Sequence, residues 1–120
     1  MPKWRPAPDA LVRRFAGAMA DVPGAQVRKM FGYPAAFVHG HMFAGLFQDA
    51  MILRLSAEDR ADLSRRPGAK PFEPMPGRPM REYLVVPPKM LDSPSELQHW
   101  ITKALAYAGS LPPKRRSAGR

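Results

Sequence analysis

The sequence contains no cysteine among its 120 residues. A disulfide framework, a thiolate metal site and a cysteine nucleophile are therefore excluded, and the composition suits a reducing cytoplasm. No apolar run approaches the roughly 20 residues of a membrane-spanning helix, and residues 1–6 lack the apolar core of a signal peptide. We therefore expect a cytoplasmic protein that does not contact a membrane.

Acidic residues are scarce, with 10 Asp and Glu against 19 Lys and Arg, which gives a formal net charge of +9. Such a charge favours acidic partners, either nucleic acid or an acidic protein. Four of these charges lie close together in the C-terminal tail, at Lys114, Arg115, Arg116 and Arg120, and the +5 left after subtracting them from +9 is ordinary for a solvated domain. The tail has two readings, a phosphate-binding arm and a solvated solubility tail.

Motifs that carry chemistry are also missing. The sequence has no Gly-x-Gly-x-x-Gly, no P-loop and no carboxylate pair placed for acid–base work. Its histidines His39 and His41 flank Gly40, a spacing expected to place both on one side of a strand, but a metal site needs three or four ligands. We therefore predict no metal, no cofactor and no catalytic residue, and do not expect an enzyme.

Strand-sized apolar runs fill the first half of the chain. We predict an antiparallel meander with strands at 26–31, 35–39, 42–48 and 51–55. The expected turns lie between Gly32 and Pro34, at Gly40 and at Gln48–Asp49. Both faces of the third strand are apolar, which predicts a central strand or one covered on both sides, rather than a half-solvated edge.

Helices are predicted on either side of this meander. A helical stripe of apolar residues begins at Leu11, and Ser56 and Ser93 each open a capping-box pattern. A longer stripe predicts a final helix that Gly109 caps and that packs on the sheet or the first helix. The stripe residues are Leu97, Trp100, Ile101, Ala104, Leu105 and Ala108.

Between the second and third helices, residues 67–80 contain five prolines and predict an ordered loop or edge segment. Residues 82–86 predict a fifth strand. The fold class is therefore α+β, one domain with a five-stranded, mostly antiparallel sheet in the order α-β-β-β-β-α-β-α. We place an N-terminal arm at 1–7, the domain at 8–111 and a basic disordered tail at 112–120.

Two kinds of binding site follow as hypotheses. The candidate nucleic-acid contacts are Arg28, Lys29, Arg54, Arg78, Arg81, Lys114, Arg115 and Arg116. These would bind phosphates without reading sequence. The alternative is a small-ligand or enzyme pocket near Tyr33, His39, His41 and Arg54.

The methionines leave a further alternative open. They are expected to fill the core when they lie on strands, and Met75 and Met80 are the more exposed pair of a candidate adaptable groove. A sheet face left uncovered by three short helices also predicts a homodimer.

An ordered set of short motifs resembles the N-terminal domain of TfoX (Sxy), a bacterial competence regulator, over roughly residues 8–113. The motif residues are 28–32, 40–44, 53–55, 67–72 and 75–80, with Tyr83, Pro87, Leu97 and Trp100. The resemblance implies a secretion-chaperone-like antiparallel sheet, no known catalytic centre and a regulatory role through a protein partner such as the transcription machinery. It is the resemblance, not the composition, that suggests competence and transcription regulation.

Overall fold

The computed structural model describes residues 5–112. The elements in chain order are α1 (Asp9–Ala20), β1 (Gln26–Met30), β2 (Tyr33–Val38), β3 (His41–Phe47), β4 (Ala50–Arg54), α2 (Ala57–Ser64), β5 (Lys70–Pro71), β6 (Tyr83–Val85), a 3-10 helix (Pro88–Asp92) and α3 (Pro94–Ser110). The α+β class is confirmed. No helix within this range is both long enough and apolar enough to cross a membrane.

The sheet is open and entirely antiparallel, with the strand order β1-β2-β3-β4-β6-β5. The prediction of five strands is wrong by one, because the proline-rich segment contributes the two-residue strand β5. This strand pairs only with β6 and lies at the edge of the sheet. An edge is where proline is tolerated, since the missing N–H is not needed by a second neighbour.

The helices cover one face of this sheet. The buried side of α3, including Leu97, Trp100 and Ile101, shares one core with Phe15 of α1 and Leu53 of β4. Burying such large apolar side chains contributes about 1.5–3 kcal/mol each. The prediction that the last helix covers the core is confirmed.

Several local expectations need correction. The first hairpin turn is Phe31–Gly32, with φ of 55° and 86°, and Pro34 lies inside β2 and pairs with Lys29. Two residues with positive φ match the twist of a tight hairpin, so the turn closes before the proline.

The expected caps differ at the two later helices. The Ser56 side chain accepts the N–H of Asp59 at 3.2 Å, as predicted. Ser93 makes no side-chain cap hydrogen bond, and α3 continues past Gly109 to Ser110. The 3-10 helix leads directly into α3, and its Met90 packs in the core. Packing, rather than a serine cap, therefore fixes the position at which α3 begins.

Candidate functional site

An apolar groove lies on the sheet face opposite the helices. Its cavity has a volume of about 240 Å3. The strands and the segment after β5 line it together, with Met30, Phe31, Tyr33, Pro34, Ala35, Met42, Gly45, Leu46, Phe47, Ile52, Phe72, Pro74, Met75 and Met80. We call this surface the groove.

Small residues and a bulge shape its floor. Ala35 lies opposite Gly45 in the β2–β3 register, and a Cβ at Gly45 would meet the Ala35 Cβ at 3.6 Å. The register then shifts from the pair Ala36–Ala44 to the next pair, skipping Phe43. The extra residue of a β-bulge re-aims its neighbours, so Phe43 enters the helix-side core while Met42 lines the groove.

The segment 72–81 forms one wall. Its backbone is held by the N–H of Met80 donating to the Phe72 carbonyl at 2.9 Å and by the N–H of Arg78 donating to the Met75 carbonyl at 2.9 Å. The side chains of Met75 and Met80 remain 43% and 37% exposed. The prediction that these two methionines are exposed is confirmed.

Phe31 forms the other wall, at the tip of the β1–β2 hairpin. Its side chain is 78% exposed and its φ is 55°. A bulky side chain is disfavoured in the left-handed region, where glycine and asparagine are preferred. Phe31 therefore breaks two local rules at once, in exposure and in backbone conformation, and it does so beside the groove.

Aromatic rings continue from the groove towards β6. Ring centroids are 5.5 Å apart for Tyr33 and Phe47, 5.3 Å for Phe47 and Phe72, and 6.5 Å for Phe72 and Tyr83. The Tyr33 hydroxyl donates to the Arg5 carbonyl, and the Tyr83 hydroxyl donates to the Met42 carbonyl at 2.9 Å. Burial raises the pKa of Tyr83. Both phenols are thus engaged by backbone carbonyls.

The predicted cations fall into different places. The Arg28 guanidinium lies 4.1 Å from the Phe37 ring centroid, on the groove side of the sheet, whereas strand alternation directs Lys29 to the other face. Arg78 and Arg81 are exposed beside Met75 and Met80. Lys114, Arg115 and Arg116, and the tail predicted at 112–120 apart from residue 112, lie outside the described residues.

Arg54 is a paired charge rather than a free one. Its Nε donates to Glu82 Oε1 at 2.7 Å, and the Tyr107 hydroxyl donates to Glu82 Oε2 at 2.9 Å. Partial burial raises the pKa of Glu82, but the hydrogen bonds from Arg54 and Tyr107 and the charges of Arg54 and Arg60 outweigh it, so the net shift is downward. This cluster joins α3 to the sheet.

The predicted pocket of Tyr33, His39, His41 and Arg54 does not assemble as one site. Among these four residues, Tyr33 alone lines the groove. His39 has a φ of 52° in the β2–β3 turn, so the two histidines do not share a strand face as expected. His41 Nε2 lies 2.7 Å from the Pro112 carbonyl. Residues 5–112 hold no cluster of three or more metal-ligating side chains.

A second, more polar cavity of about 430 Å3 lies beyond Phe47 and Phe72. Arg5, Asp49, Lys70 and Glu73 contribute both signs of charge to its lining. Arg5 and Asp49 approach each other at 3.8 Å, which partly cancels their charges.

Sequence reasoning did not single out Phe31 as a site residue. The usable signal was its position: a large aromatic directly before Gly32, between two strands, is placed where Asn-Gly or Asp-Gly is expected. For the wall formed by 72–81, the sequence predicted the exposure of Met75 and Met80. It did not predict where the wall lies, because that depends on contacts of Phe72 with β3 and β4.

Comparison with known proteins supports a family assignment. A family model described as the TfoX N-terminal domain matches residues 18–108. The match includes β1 to β6 and α2 entirely, and most of α3. No curated protein matches the chain.

Proposed function

Because the chain belongs to the TfoX N-terminal domain family, we propose that it is a non-enzymatic regulatory module that acts by binding a protein partner. The transcription machinery is the expected class of partner, and the cytoplasm the expected location. Phe31 carries the proposal: this aromatic residue lines the groove, is 78% exposed and has a left-handed backbone conformation in which a bulky side chain is disfavoured. Exposed large apolar residues beside a cavity are typical of interaction surfaces.

The groove suits a protein contact better than a small ligand. Its volume of about 240 Å3 is below the roughly 300–1,000 Å3 of ligand pockets. A ligand or substrate site also needs polar groups that converge on the bound molecule. Here the hydroxyls of Tyr33 and Tyr83 already donate to backbone carbonyls.

A second candidate is non-specific association with nucleic acid. The exposed cations Arg28, Arg78 and Arg81 favour it, since none of them forms an ion pair with another residue of the range 5–112. Such contacts would bind phosphates and carry no sequence information.

The proposal is tested by photocrosslinking in the native host. A photoreactive phenylalanine analogue replaces Phe31, and a control protein carries it at Ala16, an exposed position on α1. We expect a nuclease-resistant protein adduct from position 31 that position 16 does not give. The same adducts from both positions, or none, would overturn the proposal, and an adduct lost on nuclease treatment would favour nucleic acid.

A further inference from the structure

Building on the proposed function, we infer that the groove binds an acidic peptide segment that carries one or two large apolar side chains. The cavity of about 240 Å3 has room for side chains of this number and kind. Four methionines line it, at positions 30, 42, 75 and 80. Unbranched thioethers repack around different apolar shapes, so such a wall accepts Leu, Phe or Met anchors.

The positive charge near the groove favours acidic residues on either side of the apolar anchors of that segment. Arg28 lies on the groove side of β1, and Arg78 and Arg81 flank Met80 within the wall formed by 72–81. The nearby carboxylate of Glu73 accepts the N–H of Gly77 inside its own loop. Three cations therefore neighbour residues that line the groove, while the Glu73 carboxylate is already engaged, so carboxylates flanking the apolar anchors complement this net positive charge.

The same charge argues against a second copy of this chain as the occupant. A two-fold interface would bring the same patch of both copies together, so one interface would enclose Arg28, Arg78 and Arg81 from each copy. Juxtaposed like charges at an interface disfavour association. Phe31 entering a partner's groove would have to overcome this repulsion.

Single-stranded nucleic acid fits the rim but not the lining. Stacking of bases needs open aromatic faces. Tyr33 is 5% exposed and Phe72 is 6% exposed, so these two rings present little surface to a base. Phe31 offers an exposed ring, but the remaining lining is mostly aliphatic and methionine, which suits peptide side chains.

The first test measures binding of labelled peptides to the full chain by fluorescence anisotropy. The probe is a peptide of about twelve residues with two leucines or phenylalanines among Asp and Glu. Matched controls replace the acidic residues by Lys in one peptide and the apolar residues by Ser in another. We expect each control peptide to bind at least about tenfold more weakly than the probe.

Variants then assign the contact to the groove. Phe31→Asn keeps a residue suited to the left-handed turn and should weaken probe binding by more than about tenfold. The double variant Arg78→Glu with Arg81→Glu should weaken it by about tenfold. Arg13→Glu reverses a charge on exposed α1, in the helix layer, and should change affinity by less than about twofold.

A readout on the unaltered protein guards against misfolded variants. With isotopically labelled methionine methyl groups, the probe should shift the signals of the groove methionines Met30, Met75 and Met80. Met19 and Met90 belong to the helix-side core and serve as internal controls. Shifts confined to the controls would overturn the inference.

A displayed random-peptide library panned on the full chain separates failure of the inference from failure of the proposed function. Selection of acidic segments whose binding is lost in Phe31→Asn supports the inference. Selection of Phe31-dependent peptides without acidic residues overturns it while the interaction function stands. No Phe31-dependent peptide would overturn both. Phe31-dependent binding of a single-stranded oligonucleotide in place of the peptide, or Phe31-dependent dimerisation in sedimentation, would also overturn it.

Discussion

Trp100 provides the sharpest test of the helix-side core. Its side chain is 6% exposed, and the indole Nε1 is buried with no hydrogen-bond acceptor among residues 5–112. Trp100→Ala should lower the free energy of unfolding by about 3–5 kcal/mol, because it removes a large buried ring and leaves a cavity. The melting temperature should fall by roughly 15–25 °C.

Trp100→Phe should behave very differently. Phe fills most but not all of the space of Trp, so the loss of packing should be about 1.5 kcal/mol, well below that of the truncation to Ala. The exchange also removes a buried N–H donor whose desolvation costs about 1–3 kcal/mol when it has no acceptor. These terms oppose each other, so the free energy of unfolding of Trp100→Phe should lie within about 1.5 kcal/mol of the parent protein.

Urea denaturation followed by far-UV circular dichroism measures both variants without relying on tryptophan fluorescence. His99→Ala is the matched control, since His99 is exposed on the same helix and its ring centroid lies 5.8 Å from that of Trp100. It should change stability by about 0.5 kcal/mol or less. A Trp100→Phe loss equal to that of Trp100→Ala would refute the unpaired donor. A Trp100→Ala loss below about 1 kcal/mol would refute the core role of α3.

Three further predictions concern the Arg54–Glu82 ion pair, the helix caps and the C-terminal tail. Glu82→Gln should destabilise the protein by about 1 kcal/mol at neutral pH, because the ion pair with Arg54 is only partly exposed, at 20% for Arg54 and 38% for Glu82. Folding lowers the pKa of Glu82, so the stability difference between the parent and Glu82→Gln should be complete above the unfolded pKa of about 4.3. It should vanish as the pH falls through the folded pKa. A stability difference that does not change with pH would contradict this prediction. Ser56→Ala should cost about 1 kcal/mol in chemical denaturation and Ser93→Ala much less, because only Ser56 accepts a cap hydrogen bond, and equal costs would count against this. Truncation after Leu111 removes four cations, so it should reduce the slope of log affinity for duplex DNA against log salt concentration by at most about 3.6. The reduction should be the same for unrelated DNA sequences. Negligible DNA binding by the full chain at low salt would contradict a phosphate-binding role for the tail.

The helix-side half of the fold was readable from the sequence because its signals are local. The stripe containing Leu97, Trp100 and Ile101 has a helical period, and that period alone identifies the face that must be buried. Glycines likewise located the turns at Gly32 and Gly40, both of which have positive φ. The residues before these glycines, Phe31 and His39, also adopt positive φ. The amino-acid type of Phe31 does not predict this backbone conformation, because bulky side chains disfavour it.

The groove side was harder to predict because its structure is set by long-range contacts. Strand β5 has two residues and forms only because β6 offers an edge, so no run of apolar residues predicts it.

The helix caps were also hard to predict. The Ser56 and Ser93 patterns look alike in sequence, yet Ser93 follows the 3-10 helix and has φ −122° and ψ 89° without a side-chain cap. Tertiary packing decided these cases over local propensity.

The methionines show why the open face of the sheet matters for function. Met42 and Met51 both lie on central strands with similar apolar neighbours, but Met42 lines the groove and Met51 is fully buried on the helix side. The β-bulge at Phe43 places Met42 on the groove side, because it reverses the alternation of β3 at one point, whereas Met51 follows the regular β3–β4 register opposite Leu46. The bulge thus gives the sheet a large aromatic for its core and an adaptable thioether for its outer face. Together with the exposed Phe31, this arrangement supports recognition of an apolar partner by the face that the helices leave uncovered.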